Sequence, residues 1–308
     1  MGKLVISLDT ELSWGWMCRP EQRKQYTELF EQGSQTIREL IDLFDTYEVP
    51  VTWAVVGRLV EPQTGIPSRY PYDLDVLFEE INTKLAYSEV PIRERYFPKL
   101  VQLLREARTK HEIASHTYNH LHCSKISSQN LEVFQRDLEA MQEVFEAYSL
   151  SPARSLVFPR NEIGGLEAIN RSSIKIYRAP DQYWYSGFPK PLIKFFRQLD
   201  FLLPFTPQTF RVERDSYGNA FVCGSMLYTT THTGYKKFIP PSMNAFRVRR
   251  GLDRAVRRRE ILHLWFHPFN YGFRKEDQFR GLESVLRYAA ELRSRKLLQT
   301  VTMGSLVD

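Results

Sequence analysis

An α/β fold in which a parallel sheet closes into a barrel is what this 308-residue sequence predicts, on three observations. Short apolar runs of strand length alternate with amphipathic stretches of helix length, the pattern of repeated βαβ units. The length is one that an α/β barrel fills as a single domain, and no internal linker stands out. The chemically distinctive residues fall where the apolar runs end, and parallel barrels carry their working groups at those ends.

Taken in order, Lys3 to Asp9 reads as the first strand. The stretch Tyr26 to Tyr47 follows, with Leu29, Phe30, Ile37, Leu40, Ile41 and Phe44 near helical spacing. Val51 to Val56 is the second strand, closed by Gly57. A long excursion rich in Pro and Tyr, Glu61 to Phe97, is expected to decorate the barrel mouth. The helix Lys99 to Thr109 leads to the strand before His116, and Asn130 to Tyr148 leads to Leu156-Val157-Phe158. A helix near Leu166 to Arg171 precedes the strand Ile174 to Tyr177. Ile261 to Phe266 is a late strand, and the helix Lys275 to Arg295 precedes a last one at Leu298 to Thr302.

Composition excludes whole classes. Hydrophobic residues make up 43% and charged ones 25%, which fits an ordinary globular chain and not a disordered one. No apolar run reaches transmembrane length. The chain enters its first strand directly after Met1-Gly2-Lys3, without an apolar segment and small-residue cleavage site, so the expected compartment is the cytoplasm, including the inner face of the membrane. Cys18, Cys123 and Cys223 are odd in number and widely spaced, which argues against a disulfide framework. Cys123 lies three residues past His120 and within reach of a metal, but a small buried residue is the plainer reading.

The most informative stretch is His116-Thr117-Tyr118-Asn119-His120, two imidazoles four residues apart at the end of Glu112-Ile113-Ala114-Ser115. Imidazole is a favoured ligand of zinc and its transition-series neighbours, and this spacing can aim two rings at one point from a helical turn. A third ligand is available from Asp9-Thr10-Glu11, where two carboxylates spaced i, i+2 project from one face of a strand end. Each piece also has a plainer reading. An isolated pair of this spacing is commonly two unrelated histidines, and Asp-Thr-Glu at a strand end is commonly a solvated turn or helix cap. A third strand end, Ile261 to Phe266 followed by His267-Pro268, supplies another histidine that would converge on the same point.

These residues resemble the polysaccharide deacetylases of the NodB-homology type, metal-dependent amide and ester hydrolases, along most of the chain. The resemblance implies a distorted parallel (β/α)7-type barrel forming one domain over residues 1–308, with insertions at about 58–98 and about 179–240. It implies a divalent metal, zinc first, bound by Glu11, His116 and His120. Ser7-Leu8-Asp9-Thr10-Glu11 departs from the usual pair of adjacent aspartates by one intervening residue. Asp9 is then the base and Glu11 the ligand, with the exchanged assignment as the alternative. Phe158-Pro159-Arg160-Asn161-Glu162 is similar to the motif whose arginine orients the catalytic Asp, which implies that role for Arg160. Leu264 to Pro268 is similar to the motif whose histidine protonates the leaving group, here His267. His263 lies on the same face of that strand, four residues earlier, and reads as packed or as supporting the site.

The chemistry asks for these groups on its own account. Hydrolysing an N-acyl bond at neutral pH needs a better nucleophile than free water, which a metal provides. A cation beside the base keeps that carboxylate ionised. Expelling an amine needs a proton donor, for which histidine as a residue type is suited.

Two segments bear on the partner. Between Ala179 and Pro240 lies an aromatic-rich insertion that includes Trp184, Phe188, Phe195, Phe196 and Phe205. Such rings can stack on sugars, pack beneath a loop, or, with Lys194 and Arg197, rest on a membrane surface. Lys236 to Arg259 holds nine Lys or Arg against one Asp, more than the whole net charge of +6. No nucleic-acid motif accompanies it, so nucleic acid is not the expected partner. A solvated helix face or a phosphate-bearing sugar, nucleotide- or lipid-diphosphate-linked, is. The expected function is a de-N-acetylase of a saccharide intermediate in bacterial surface-polysaccharide (O-antigen or capsule) assembly. The alternatives are a deformylase or cyclic-amide hydrolase of the same fold, and a saccharide-binding protein with a degenerate site.

Overall fold

The computed structural model describes residues 1–17, 19–61, 90–228 and 240–308. Cys18, most of the insertion at 58–98 and the start of the basic segment with Lys236 lie outside the described residues.

Among the described residues ten strands form one sheet: β1 (Gly2–Thr10), β2 (Thr52–Val55), β3 (Glu112–Ser115), β4 (Ser155–Val157), β5 (Ile176–Ala179), β6 (Glu213–Arg214), β7 (Ala220–Cys223), β8 (Met226–Leu227), β9 (Ile261–Phe266) and β10 (Leu298–Val301). From β9 through β1, β2, β3, β4 and β5 to β7 every pairing is parallel. The ring closes through one stretch of chain. β7 pairs with β5, β8 pairs with β9, and between them Gly224 N donates to Ala179 O and Ser225 N to His263 O. Counting 220–227 as one kinked strand, seven strands circle the barrel, which bears out the (β/α)7-type expectation. β6 adds an antiparallel edge to β7, and β10 pairs with the start of β1.

The strand period of two sorts the residues into an interior and an exterior set. A small apolar cluster draws a residue from every barrel strand: Val5, Ala54, Ala114, Val157, Ile176, Ala220 with Val222, and Ile261. Residues contributed by all strands at once can meet only inside the barrel. Continuing up the same faces, β1 presents Ser7 and then Asp9, β5 presents Arg178, and β9 presents His263 and Trp265. The interior is therefore layered, apolar at the base and polar towards the strand C-termini. The alternate residues, among them Leu4, Ile6, Leu8, Leu262 and Leu264, face the helices and join the larger outer core.

The helices cover that outer face. In Gly33–Tyr47 the buried positions Thr36, Ile37, Leu40, Ile41 and Phe44 form the core-facing stripe. The helix expected over Tyr26 to Tyr47 is two pieces, Thr27–Glu31 and Gly33–Tyr47, with Leu12 packed against the break at Gly33. β5 begins two residues later than the apolar run Ile174 to Tyr177 suggests and runs on to Ala179, which keeps Arg178 within the strand on the inward face of Ile176.

Candidate metal and catalytic centre

Three strand ends meet at the barrel mouth. Glu11 follows β1, and its carboxylate is buried under the short turn Trp14–Trp16. Residue 15 of that turn is glycine, and a Cβ there would sit 2.2 Å from Glu11 Oε1 and displace the carboxylate. His116 and His120 follow β3, fully and nearly fully buried. Glu11 Oε2 lies 3.3 Å from His116 Nε2 and 2.8 Å from His120 Nε2, and ligand atoms of all three residues fall within 4.8 Å of one another.

The His116–His120 segment is not the helical turn that its spacing suggests. Thr117 and His120 take left-handed backbone conformations, φ 60° and 57°, which cost a non-glycine residue about 1–3 kcal/mol each. Asp137, buried in the helix Leu131–Ala147, holds the bend. Its carboxylate accepts from Tyr118 N at 2.6 Å, Asn119 N at 3.0 Å and Asn119 Nδ2 at 3.1 Å. Burial pushes the Asp137 carboxyl up to about 6 even against those three donors. Thr117 Oγ1 also accepts from Leu121 N, and Gly57 N donates to Thr117 O.

The donor set fits a divalent ion. His116 Nδ1 lies 2.8 Å from the carbonyl of Val157, which can only accept, so the proton is on Nδ1 and the Nε2 lone pair faces Glu11. Two imidazoles and one carboxylate are the three-ligand set of catalytic zinc sites. Burial pushes Glu11 up, but His120 and His267 outweigh it and hold the carboxyl well below its ordinary range. Burial pushes His120 down. Both shifts favour the deprotonated forms that ligate metals.

Asp9 stands beside this cluster. Arg178 Nη1 donates to Oδ1 at 2.6 Å and Nη2 to Oδ2 at 2.7 Å. Burial pushes the Asp9 carboxyl up, and Arg178 more than reverses the effect. Arg178 is itself fully buried. Asn161 Oδ1 accepts from its Nη2 and Nε, Ser7 Oγ from its Nη1, and the guanidinium lies 4.4 Å from the Trp265 ring. Ser7 Oγ in turn sits 2.8 Å from His263 Nε2, and burial with the nearby Arg178 pushes His263 down to about 3. His263 is thus a neutral supporting residue beneath Asp9. On the open side, His267 Nε2 is 3.4 Å from Glu11 Oε1 and 3.9 Å from Asp9 Oδ2, and its side chain remains 24% exposed.

The structure thus gathers Asp9, Glu11, His116, His120 and His267 as expected and gives the arginine position to a different residue. Arg160 does not hold Asp9. It lies in a turn of two successive left-handed residues, Arg160 and Asn161, with its Nη1 3.4 Å from His122 Nδ1. Asn161 of the same motif reaches the site instead, as the acceptor for Arg178. Asp137, Asn161 and Arg178 were missed. The signal for Asp137 was present: it is a charge in the apolar stripe formed by Phe134, Met141 and Val144. Cys123 is buried with its Sγ towards Leu121 O, outside the ligand cluster.

A family model described as polysaccharide deacetylase matches residues 19–178, just over half of the chain. The chain belongs to the polysaccharide deacetylase family. This deacetylase is therefore a carbohydrate-directed hydrolase of a metal-dependent family, with a Glu-His-His cluster that can hold an ion. The matched span includes His116, His120 and Arg178 and ends before His267. Among solved structures, a protein from Mycobacterium smegmatis assigned as a polysaccharide deacetylase superposes with a TM-score of 0.62 at 13% identity, over 99% of this chain and 88% of its own. A GH57-type branching enzyme from Pyrococcus horikoshii superposes at 0.55 and 11% identity, over 100% of this chain and 70% of its own. A GH57 branching enzyme from Thermococcus kodakaraensis gives 0.53 at 11%, over 99% and 70%. At such identities these likenesses speak for the fold. A search of curated protein sequences gives no match.

Proposed function

We propose that this deacetylase removes the acetyl group from an N-acetylated sugar, with Asp9 as base, His267 as acid and Glu11, His116 and His120 as ligands of a divalent ion, zinc first. The observation that carries the reading is the set of distances around Glu11, with both histidines, His267 and Asp9 meeting at one buried carboxylate pair. A cation in that set supplies Lewis acidity to the acyl carbonyl and to the attacking water. Water oxygen bonds to the acyl carbon as Asp9 takes its proton. Both Asp9 oxygens accept from Arg178, but a carboxylate has about four lone-pair sites, so capacity for that proton remains. As the C–N bond breaks, His267 gives its proton to the departing nitrogen, releasing acetate and the amine. Arg178 keeps Asp9 ionised until it takes that proton, and aimed throughout.

The setting we favour is surface-polysaccharide assembly on the cytoplasmic side, with a sugar carried on a nucleotide or lipid diphosphate, in a chain that folds as one barrel domain. Arginine suits diphosphate, and Arg247, on the mouth half of the helix Pro241–Arg258, lines the cavity that reaches Asn161 and Trp265. Arg257, Arg258 and Arg259 do not serve this purpose. They end that helix just ahead of β9, at the barrel base opposite the catalytic mouth.

The test is acetate release from a panel of free, nucleotide-linked and lipid-linked N-acetylated sugars. Release from a diphosphate-linked sugar, abolished in Asp9→Asn with bound metal retained, is expected. No release across the panel, or an active Asp9→Asn enzyme, contradicts the reading. Loss of metal in Asp9→Asn exchanges the roles of Asp9 and Glu11.

A further inference from the structure

Beside the catalytic mouth the surface is more apolar than a soluble domain needs. Trp184, Phe188, Leu192, Phe195, Leu203 and Phe246 are each between 43% and 54% exposed. Trp184, Phe188 and Phe195 connect through Phe196 as a platform, and Leu192 lies one turn before Phe195 on the same helix. Phe195 packs on Phe196 at 5.5 Å, and Phe196 on Trp184 and Phe188 at 5.0 and 5.1 Å. Arg250 bridges the far edge, donating to Pro204 O while its guanidinium lies 5.8 Å from the Phe246 ring. Contiguous exposed aromatics and leucines on this scale mark an interaction surface, whereas scattered ones do not.

Charge identifies what the platform meets. No acidic residue occurs from Gln182 to Leu199, and Asp200 is buried with Arg247 Nη2 at 3.1 Å. Lys190, at the start of the helix that carries Leu192 and Phe195, and Arg250, beside Phe246, are both exposed. On the helix Pro241–Arg258 the one acid, Asp253, accepts from Tyr288 Oη. A second copy of this chain would set cation against cation, a costly arrangement at an interface. An aromatic surface with a basic rim is complementary to an anionic bilayer. Among the described residues no helix is long and apolar enough to cross a membrane, so the contact considered lies in the interface plane.

The platform also borders the site. A cavity of about 520 Å³ runs from Trp184, Thr206 and Arg247 to Asn161 and Trp265, the two residues that flank Arg178. A molecule held at the interface would thus have its headgroup beside the catalytic mouth.

We propose that this face docks on anionic lipid bilayers and that the deacetylase takes its sugar from the membrane surface. This rests on the deacetylase reading for the identity of the cargo, while the docking itself stands on the surface alone. The test is sedimentation of the intact protein with vesicles of phosphatidylcholine, with and without phosphatidylglycerol. Binding to the anionic vesicles that weakens with salt is expected. The double variant Leu192→Ser/Phe195→Ser should lower partitioning by at least about tenfold, because each side chain carries apolar area into the bilayer. Lys190→Gln/Arg250→Gln should lower it by roughly fivefold per charge. Brominated lipid should quench tryptophan fluorescence in the native protein and much less in Trp184→Phe, a readout independent of affinity. Absence of binding, unchanged binding in the double variant, or a stable dimer in solution that Leu192→Ser/Phe195→Ser dissociates would overturn the proposal. Acetate release from a soluble sugar without vesicle binding sinks the docking and leaves the activity standing; vesicle binding without acetate release does the reverse.

Discussion

Arg178 grips both oxygens of Asp9, at 2.6 and 2.7 Å, in a fork that reaches from β5 across the barrel interior to β1. A fully buried guanidinium opposite a buried carboxylate is stable only because each group neutralises and hydrogen-bonds the other. The pair fixes the ionisation and direction of Asp9, and it couples two strands on opposite arcs of the ring.

Replacing Arg178 with Lys keeps the charge and loses the fork. Acetate release should fall by about tenfold to hundredfold, since misplacing a reacting group by an ångström has that effect. Arg178 holds the Asp9 carboxyl down, so a weaker partner lets it rise and the acid limb of kcat/KM moves to higher pH. A pH–rate profile checks this. An unmoved acid limb would show that Arg178 does not set the ionisation of Asp9.

His267 is the half-open group of the site, 3.4 Å from Glu11 and within reach of a leaving nitrogen. Amide hydrolysis needs that nitrogen protonated, whereas an activated aryl acetate releases a good leaving group without help. His267→Gln should therefore slow release from an N-acetyl sugar by about 10²–10⁴-fold and spare an aryl ester. Equal losses on both substrates contradict the role.

Asp137 determines whether the two histidines converge. Its replacement by Ala leaves the Tyr118 and Asn119 amides without their charged acceptor and frees the left-handed bend. The variant should unfold about 2–4 kcal/mol more easily and bind metal about tenfold to hundredfold more weakly. Denaturant titration and competition with a chelator measure the two effects. Normal metal affinity in a destabilised variant would make Asp137 a packing residue only.

The motifs at β1, β3 and β9 were legible because short strand ends announce themselves as apolar runs followed by a few unusual polar residues. Period two even put His263 and His267 on one face, with His263 the deeper of the two. Arg178 was not legible. Read from the apolar run Ile174 to Tyr177, it falls past the strand end, whereas β5 runs to Ala179 and turns Arg178 inward. Apolarity marks where a strand is buried among its neighbours. It does not mark a charge whose burial is licensed by a partner 169 residues away. The bend at His116–His120 was hidden for the same reason, because its left-handed residues are held by a carboxylate on a different element.

Acid sensitivity has a separate source at the barrel base. Burial pushes His111 down to about 4, so the folded protein keeps it neutral where the unfolded chain takes up a proton near its ordinary 6.5. A folded value below the unfolded one means stability is lost as pH falls from about 6.5 towards about 4, by up to roughly 3 kcal/mol, and no further below that. His111→Gln should lose less stability over this window than the native protein. The comparison cancels any contribution from metal release, which both proteins share. Parallel pH–stability curves would place the titrating group elsewhere.

The most direct test of the central claim is metal content set against activity in one preparation. Protein purified without chelator should carry about one equivalent of zinc or a related divalent ion. Chelation should abolish acetate release, one equivalent of added metal should restore it, and His120→Ala should neither hold the ion nor respond to it. Full acetate release from metal-free protein, or a full equivalent retained by His120→Ala, would contradict the account.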